Sequence, residues 1–236
     1  MELKGRLKLI ASKVSPCNII CDIGTDHAYI PIYLVLNGIS AKAVATDVKE
    51  GPVLIAEKNI RKYKLEHAIQ TRVGYGLECI NDEEAEVIII AGMGGMMIHD
   101  ILEAGIEKAK KSNSIILQPM NAIEVVREWL FSNGFDIYDE GLAREGTRIY
   151  NVIATRWTGK EKHKDMVYYY MGEKLIEKRD PLAGKYLVNK MAQLEKVIKG
   201  FEMADSMSRD LEKYKYLYYR MKDIREELGK EKEEFI

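Results

Sequence analysis

Cysteine is scarce in this chain, and its placement is restrictive. Cys17, Cys21 and Cys79 are odd in number and lack the paired spacing of metal ligands, which predicts reduced thiols in a cytoplasmic protein and no disulfide frame. His67, His99 and His163 show no ligand spacing either, so no metal is expected. Long apolar runs are also missing. None approaches the roughly 20 residues of a membrane span, and residues 1–14, with Leu3, Leu7, Ile10 and Ala11 on one helical side, lack the uninterrupted apolar core of a signal peptide. No membrane association or export follows from this pattern. Charge of one sign is absent overall, 36 Lys and Arg against 37 Asp and Glu. Its distribution is less even: sixteen basic residues stand against eleven acidic ones between 160 and 225, while the first 157 residues carry a net −3. At 236 residues, there is room for one α/β domain and a smaller appendage.

What is present centres on residues 18–29, N-I-I-C-D-I-G-T-D-H-A-Y. An apolar run reaches Asp22, breaks at Gly24 and resumes as a helical pattern over 28–36, which predicts strand, tight turn and helix. In a parallel sheet covered by helices, ligands bind where such a strand end meets the next helix. A dinucleotide site would read G-x-G-x-x-G, with its second glycine letting the backbone approach a pyrophosphate. Here that position is Asp26. A carboxylate repels a diphosphate and favours a cation, so Asp22, Gly24, Thr25 and Asp26 suit S-adenosylmethionine, which carries a sulfonium and an ammonium, better than NAD. The plainer reading is that Asp22 caps a helix and Gly24 only turns the chain.

Downstream, strand-like and helix-like periodicities alternate. A strand over 41–46 ends at Asp47, 25 positions after Asp22 and near the ~20-residue offset at which an acid meets ribose hydroxyls. Asp47 and Val48 are therefore cofactor candidates, although Asp47 would serve equally as a helix cap. A helix over 52–62 places Val53, Leu54, Ala56 and Ile60 on one face, with Pro52 in its first turn. The strand over 69–73 leads to Gly74-Tyr75-Gly76, where Tyr75 either stacks on a base or packs outside. A continuous apolar strand over 85–91, expected of a central parallel strand, ends in Gly92-Met93-Gly94-Gly95. Three glycines in four residues mean a sharp bend or a close approach. Then come a helix over 96–110, a strand over 114–117, Gln118-Pro119-Met120-Asn121, a helix over 122–131 ended by Gly134, and an antiparallel pair, 135–143 with 148–157. The whole predicts a seven-stranded doubly wound sheet whose last strand is antiparallel.

D-I-G-T-D-H-A-Y, A-G-M-G-G and L-Q-P, in that order and spacing, resemble the bacterial tRNA (adenine-N1)-methyltransferases that act on nucleotide 22, and the resemblance covers essentially the entire chain. It implies a Rossmann-like class I methyltransferase fold over 1–157, S-adenosylmethionine as methyl donor, and a C-terminal helical coiled-coil domain over 158–236 that helps hold tRNA. Carried over by position, Asp22, Gly24, Asp26 and His27 line the cosubstrate and reaction pocket, Asp47 takes the ribose, and Gly92 to Gly95 take the reactive end, with Gly74 and Tyr75 near the adenine. The chain departs from the family pattern twice: Tyr75 stands where an acid is usual in G-D-G, and Met120 intervenes in L-Q-P-N.

The chemistry is consistent with that resemblance. A methyl sulfonium is already activated, so the protein has mainly to align nucleophile, methyl carbon and leaving sulfur. Enzymes that methylate an exocyclic amine hold its hydrogens with a polar residue followed by Pro-Pro and an aromatic at the fourth strand end. Gly92-Met93-Gly94-Gly95 offers no such side chain, which suits a ring nitrogen attacking through its lone pair. Asp26 and His27 are placed to stabilise the cationic base, and Tyr29 to stack on it at a gain of about 1–3 kcal/mol; His27 as a turn residue and Tyr29 as a core residue are the alternatives. In the tail, Leu187, Met191, Leu194, Ile198 and Phe201, then Met207, Leu211, Tyr214, Tyr218 and Met221, are spaced as heptad seams and predict two helices folding back about a turn near 202–206. Residues 166–178 form a preceding helix, ended by Asp180-Pro181. Off-seam Lys185, Lys190, Lys196, Lys199, Lys213, Lys215 and Arg220, with tyrosines 168–170, 216 and 219, are candidates for tRNA contact, in a monomer or weak dimer. A non-catalytic RNA-binding protein with a remnant pocket, and a methyltransferase of another substrate, remain open on sequence.

Overall fold

Burial runs unbroken along Val87–Ile90 and covers Ile20 to Ile23, as required of strands sandwiched between two helical layers. The computed structural model, which describes residues 1–203 and 209–233, divides into two units, Met1–His163 and Lys164–Ile236.

The first unit opens with helix α1 (Gly5–Ser12) and then builds β1 (Cys17–Ile23), α2 (Tyr29–Leu36), β2 (Ser40–Asp47), α3 (Glu50–Lys62), β3 (Ile69–Val73) and β4 (Val87–Met93). It continues through α4 (Gly95–Ala104), α5 (Ile106–Lys111), β5 (Ser114–Pro119), α6 (Ile123–Ser132), β6 (Phe135–Glu145) and β7 (Arg148–Trp157), with a 3₁₀ turn at Asp82–Glu84. The seven strands lie in the order β3-β2-β1-β4-β5-β7-β6. β1 pairs in parallel with both β2 and β4, whereas β7 runs antiparallel to β5 and β6, as expected. Because the chain winds outward through β2 and β3 and then returns to β4 and β5, the order reverses between β1 and β4. That reversal opens a crevice at the carboxyl ends of these two strands.

Several expected elements are corrected. The single helix over 96–110 is two, because α4 ends at Gly105, where a Cβ would come within 2.6 Å of Leu77; Lys108 beyond the break ties the same loop by donating to the carbonyls of Leu77 and Ile80 at 2.8 and 2.7 Å. On α3, Val53, Ala56 and Ile60 are buried while Leu54 is exposed, so the apolar face is narrower than the sequence suggests. Gly95 opens α4 against the 121–122 turn: a Cβ there would lie 2.3 Å from the Ala122 carbonyl oxygen, and only glycine fits. A buried ion pair fastens α6 to β6, the Nη2 and Nε of Arg127 reaching Glu140 Oε1 at 2.8 and 2.9 Å.

The second unit comprises α7 (Met166–Met171), α8 (Glu173–Glu177), α9 (Ala183–Met203) and α10 (Arg209–Glu233). The helix expected over 166–178 is broken at Gly172, whose φ of 82° lies outside the helical region. The last two helices run antiparallel, as the pairs Glu195–Tyr218, Phe201–Tyr214 and Glu202–Lys215 show. Leu187, Met191 and Leu194 are buried as expected. On α10 the buried set is Leu211, Leu217, Met221 and Ile224; Leu217 takes the inward position assigned to Tyr218, whose hydroxyl instead donates to Glu195 at 2.7 Å. Met207 and the part of the expected turn from residue 204 onward lie outside the described residues.

Candidate active site

The loop between β1 and α2 is held from three sides. The Thr25 N–H donates to the Thr46 carbonyl on β2 at 2.7 Å, the Thr25 hydroxyl accepts from the Ala28 N–H at 3.2 Å, and Asn59 on α3 donates to the His27 carbonyl at 3.0 Å. Gly24, at φ 76°, and Gly92, at φ 78°, make the turns that lead out of β1 and through the end of β4. Together these bonds and turns shape the crevice mouth.

A cavity of ≈ 330 Å³ occupies the crevice, lined on one side by Asp22, Gly24, Thr25, Asp26, His27 and Tyr29. Its other walls are Arg6 and Leu7 of α1, Ala28 and Ile30, and Ala91, Gly92 and Gln118 from the ends of β4 and β5. Asp22 is buried, and burial pushes its carboxyl up to about 6 against the lowering effect of a hydrogen bond from Thr25. A carboxylate withheld from water is unfavourable alone and favourable beside a cation. Asp26 is exposed and pairs with His27 at 3.2 Å. Tyr29 is exposed at the mouth with its ring stacked on His27, centroids 5.0 Å apart, while Tyr33 packs against the core.

The remaining predicted residues lie at or just after the carboxyl ends of β2, β3 and β4 and do not line the cavity. Asp47 ends β2 and accepts the Lys49 N–H at 2.8 Å through one of its two oxygens, a turn just before α3; α3 itself starts from Lys49 without a side-chain cap, so Asp47 is not its cap. The Gly74 N–H donates to the Asp47 carbonyl at 2.9 Å, which sets Gly74 and the exposed Tyr75 beside it; Val48 is exposed. Met93 reaches back over the turn, its Cε filling the space a Cβ on Gly24 would need. Gly94 abuts Asn121, whose side-chain oxygen accepts the Gly95 N–H at 3.2 Å. Despite the inserted Met120, Asn121 thus joins the turns after β4 and β5.

Two polar lining residues, Arg6 and Gln118, carry no site role expected from the sequence. Arg6 stands 139 positions from Glu145, yet its guanidinium donates to that carboxylate at 2.6 Å and its N–H to the other oxygen at 2.8 Å. The same guanidinium lies over Tyr150, 5.1 Å from the ring centre. Gly5, at φ 53°, permits this, since a Cβ would strike Glu145. Gln118 was visible only as part of L-Q-P; its complete burial was not.

A doubly wound sheet with its cavity at the β1–β4 reversal, acidic lining residues and glycine turns fits a methyltransferase, and the chain matches the family model described as a methyltransferase domain over residues 3–153. It is 31% identical over 230 residues to the tRNA (adenine(22)-N(1))-methyltransferase of Bacillus subtilis, covering 96% of this chain and 97% of that protein. Among solved structures, it is similar to Streptococcus pneumoniae Sp1610 in complex with S-adenosyl-L-methionine, with TM-score 0.83, 30% identity and coverage of 95% and 100% of the two chains. It is also similar to M. capricolum TrmK in complex with S-adenosyl-homocysteine, with TM-score 0.76, 28% identity and coverage of 97% and 99%. The chain belongs to the tRNA (adenine(22)-N(1))-methyltransferase family.

Proposed function

We propose that this protein transfers a methyl group from S-adenosylmethionine to N1 of adenine at nucleotide 22 of tRNA. The observation that carries the reading is Asp22, a carboxyl group buried at the wall of the crevice, where burial raises its pKa. Its environment fits the cationic amino-acid end of that cosubstrate, with Gly24 and Thr25 beside it and Asp47 reserving one oxygen for the ribose. Val48, Gly74 and Tyr75 flank the adenine end, and Gly92, Met93 and Gly94 the reactive end. When bound, S-adenosylmethionine supplies an activated methyl group on a positively charged sulfur.

The protein's own part is placement. The Gly92 turn leaves the wall beside the reacting centre free of side chain: no atom lies within 4 Å of a Cβ built there. Tyr29 stacks on the incoming base, offsetting part of the cost of turning it out of its helix. N1 attacks through its lone pair and loses no proton, so no general base is required at that atom. The base becomes cationic, and the carboxylate of Asp26, with His27 beside it, stabilises that charge.

Residues 1–157 carry this chemistry and residues 158–236 hold tRNA, a division supported by the separation of the chain into units after His163. The apolar seams of α9 and α10 meet each other within one chain, which supports a monomer or weak dimer. Lys185, Lys196, Lys199 and Lys213 are exposed on these helices, whereas Lys215 is paired with Glu202, Arg220 with Asp165, and Lys190 lies over Tyr186. Replacing Lys196, Lys199 and Lys213 by glutamine is expected to weaken tRNA binding and to lower the slope of log affinity against log salt by about 2 to 3, with cosubstrate affinity unchanged. Filter binding across a salt series checks it; an unaltered slope removes these lysines from the interface.

The function is tested by incubating the protein with methyl-labelled cosubstrate and tRNA. Labelled 1-methyladenosine at position 22 is the expected product. Retention of tRNA without label would indicate a binding protein, and label in another acceptor a different substrate.

A further inference from the structure

We propose that Gln118 reads the exocyclic amino group of the target adenine, accepting a hydrogen bond from N6 while N1 is methylated; this rests on the reaction put forward above. Gln118 is the last residue but one of β5, on the face that bears Asp22. The strand register aligns Asp22 with Ile89 and Ile116 across the sheet, and Ala91 with Gln118 two residues further on, so alternation along the strands returns Gln118 to the same side. Both residues line the cavity, with Gly92 between them and Tyr29 at the mouth.

The amide is fully buried and its orientation is set. Nε2 donates to the Pro119 carbonyl at 3.0 Å and lies 3.5 Å from the Met120 sulfur, whereas Oε1 has no hydrogen-bond partner. Turning the amide over would forfeit the bond to Pro119. A buried acceptor left unmatched is unfavourable, and because Gln118 lines the cavity, a ligand seated against it can bring the missing donor.

Adenine brings that donor next to the reacting atom. Its N6 amino group adjoins N1, so a base whose N6–H points at Oε1 has its N1 edge turned into the crevice. Guanine presents a carbonyl at the same place, and acceptor would then face acceptor. As the N1–methyl bond forms and the sulfur–methyl bond breaks, with sulfur keeping that electron pair, positive charge spreads from N1 to N6 and strengthens the N6–H donor. The contact is therefore tighter in the transition state than in the ground state, which raises kcat as well as selecting the base.

The test crosses the side chain with the amino group. Wild type and Gln118→Met, which keeps the volume and removes the acceptor, are compared on tRNA carrying adenosine or purine riboside at the target position. The substitution is expected to lower kcat/KM about tenfold or more on adenosine and to change it less than about threefold on purine riboside, with S-adenosylmethionine affinity by calorimetry preserved. Equal losses on both substrates would overturn the role of Gln118 while leaving the reaction intact. Absence of product from wild type on adenosine would overturn the reaction itself and this inference with it. Should the methionine variant not fold, Gln118→Asn, which withdraws the oxygen by one methylene, is subjected to the same comparison with the same expected inequality.

Discussion

Replacing Asp22 by asparagine is expected to weaken S-adenosylmethionine binding by ~10²-fold or more while making the protein more stable at neutral pH. Both effects have one cause. Burial raises the Asp22 carboxyl from 3.8 to about 6, so between these values the folded state holds a proton that the unfolded state has lost. Stability is therefore lost as pH rises through this window, by an amount on the order of 3 kcal/mol above pH 6. A bound cation removes the penalty, whereas asparagine removes it permanently and offers no charge. The gain in stability should be full at pH 7.5 and vanish below about pH 4, as measured by thermal unfolding across pH. Calorimetry supplies the other half: wild-type affinity should fall about tenfold per pH unit below 6, and the asparagine variant should lack this dependence. Wild-type affinity in Asp22→Asn would remove Asp22 from the binding site.

Arg127→Met is expected to destabilise the first unit by about 3–5 kcal/mol, because it strands the Glu140 charge in the interior. The two side chains are 0% and 1% exposed, and each is far from the crevice mouth in role: neither lines the cavity. Adding Glu140→Leu should restore much of the loss, since a hydrophobic replacement of both partners avoids the desolvation cost that a single replacement exposes. The two tryptophans, Trp129 and Trp157, belong to the first unit, so their fluorescence in a urea titration follows this unit. A single variant as stable as wild type, or a double variant no better than the single one, would show that the pair contributes little.

The legible features were those written in local pattern. Continuous apolar runs announced β1 and β4, because strands buried on both faces need no polar alternation. The D-I-G-T-D stretch placed the crevice, because a strand end followed by a glycine turn has few other uses. Helix breaks were harder to see. Gly105 parts α4 from α5 at a place where a Cβ would strike Leu77 of a distant loop, and Leu217 takes the inward position that a strict heptad gives Tyr218, whose hydroxyl meets Glu195 on the neighbouring helix.

The site divides along the same line. Sequence by itself determined the fold class, the strand that carries Asp22 and the residues Gly24 to Tyr29 that follow it, since their chemistry and spacing are properties of one short segment. Only the tertiary structure decided that Arg6 meets Glu145 across 139 positions, that Asn121 joins two turns, and that Gln118 lies buried with an acceptor unmatched. Those are outcomes of packing. Burial and hydrogen-bond satisfaction depend on which distant segments the sheet order brings together, and no single stretch of residues contains that information.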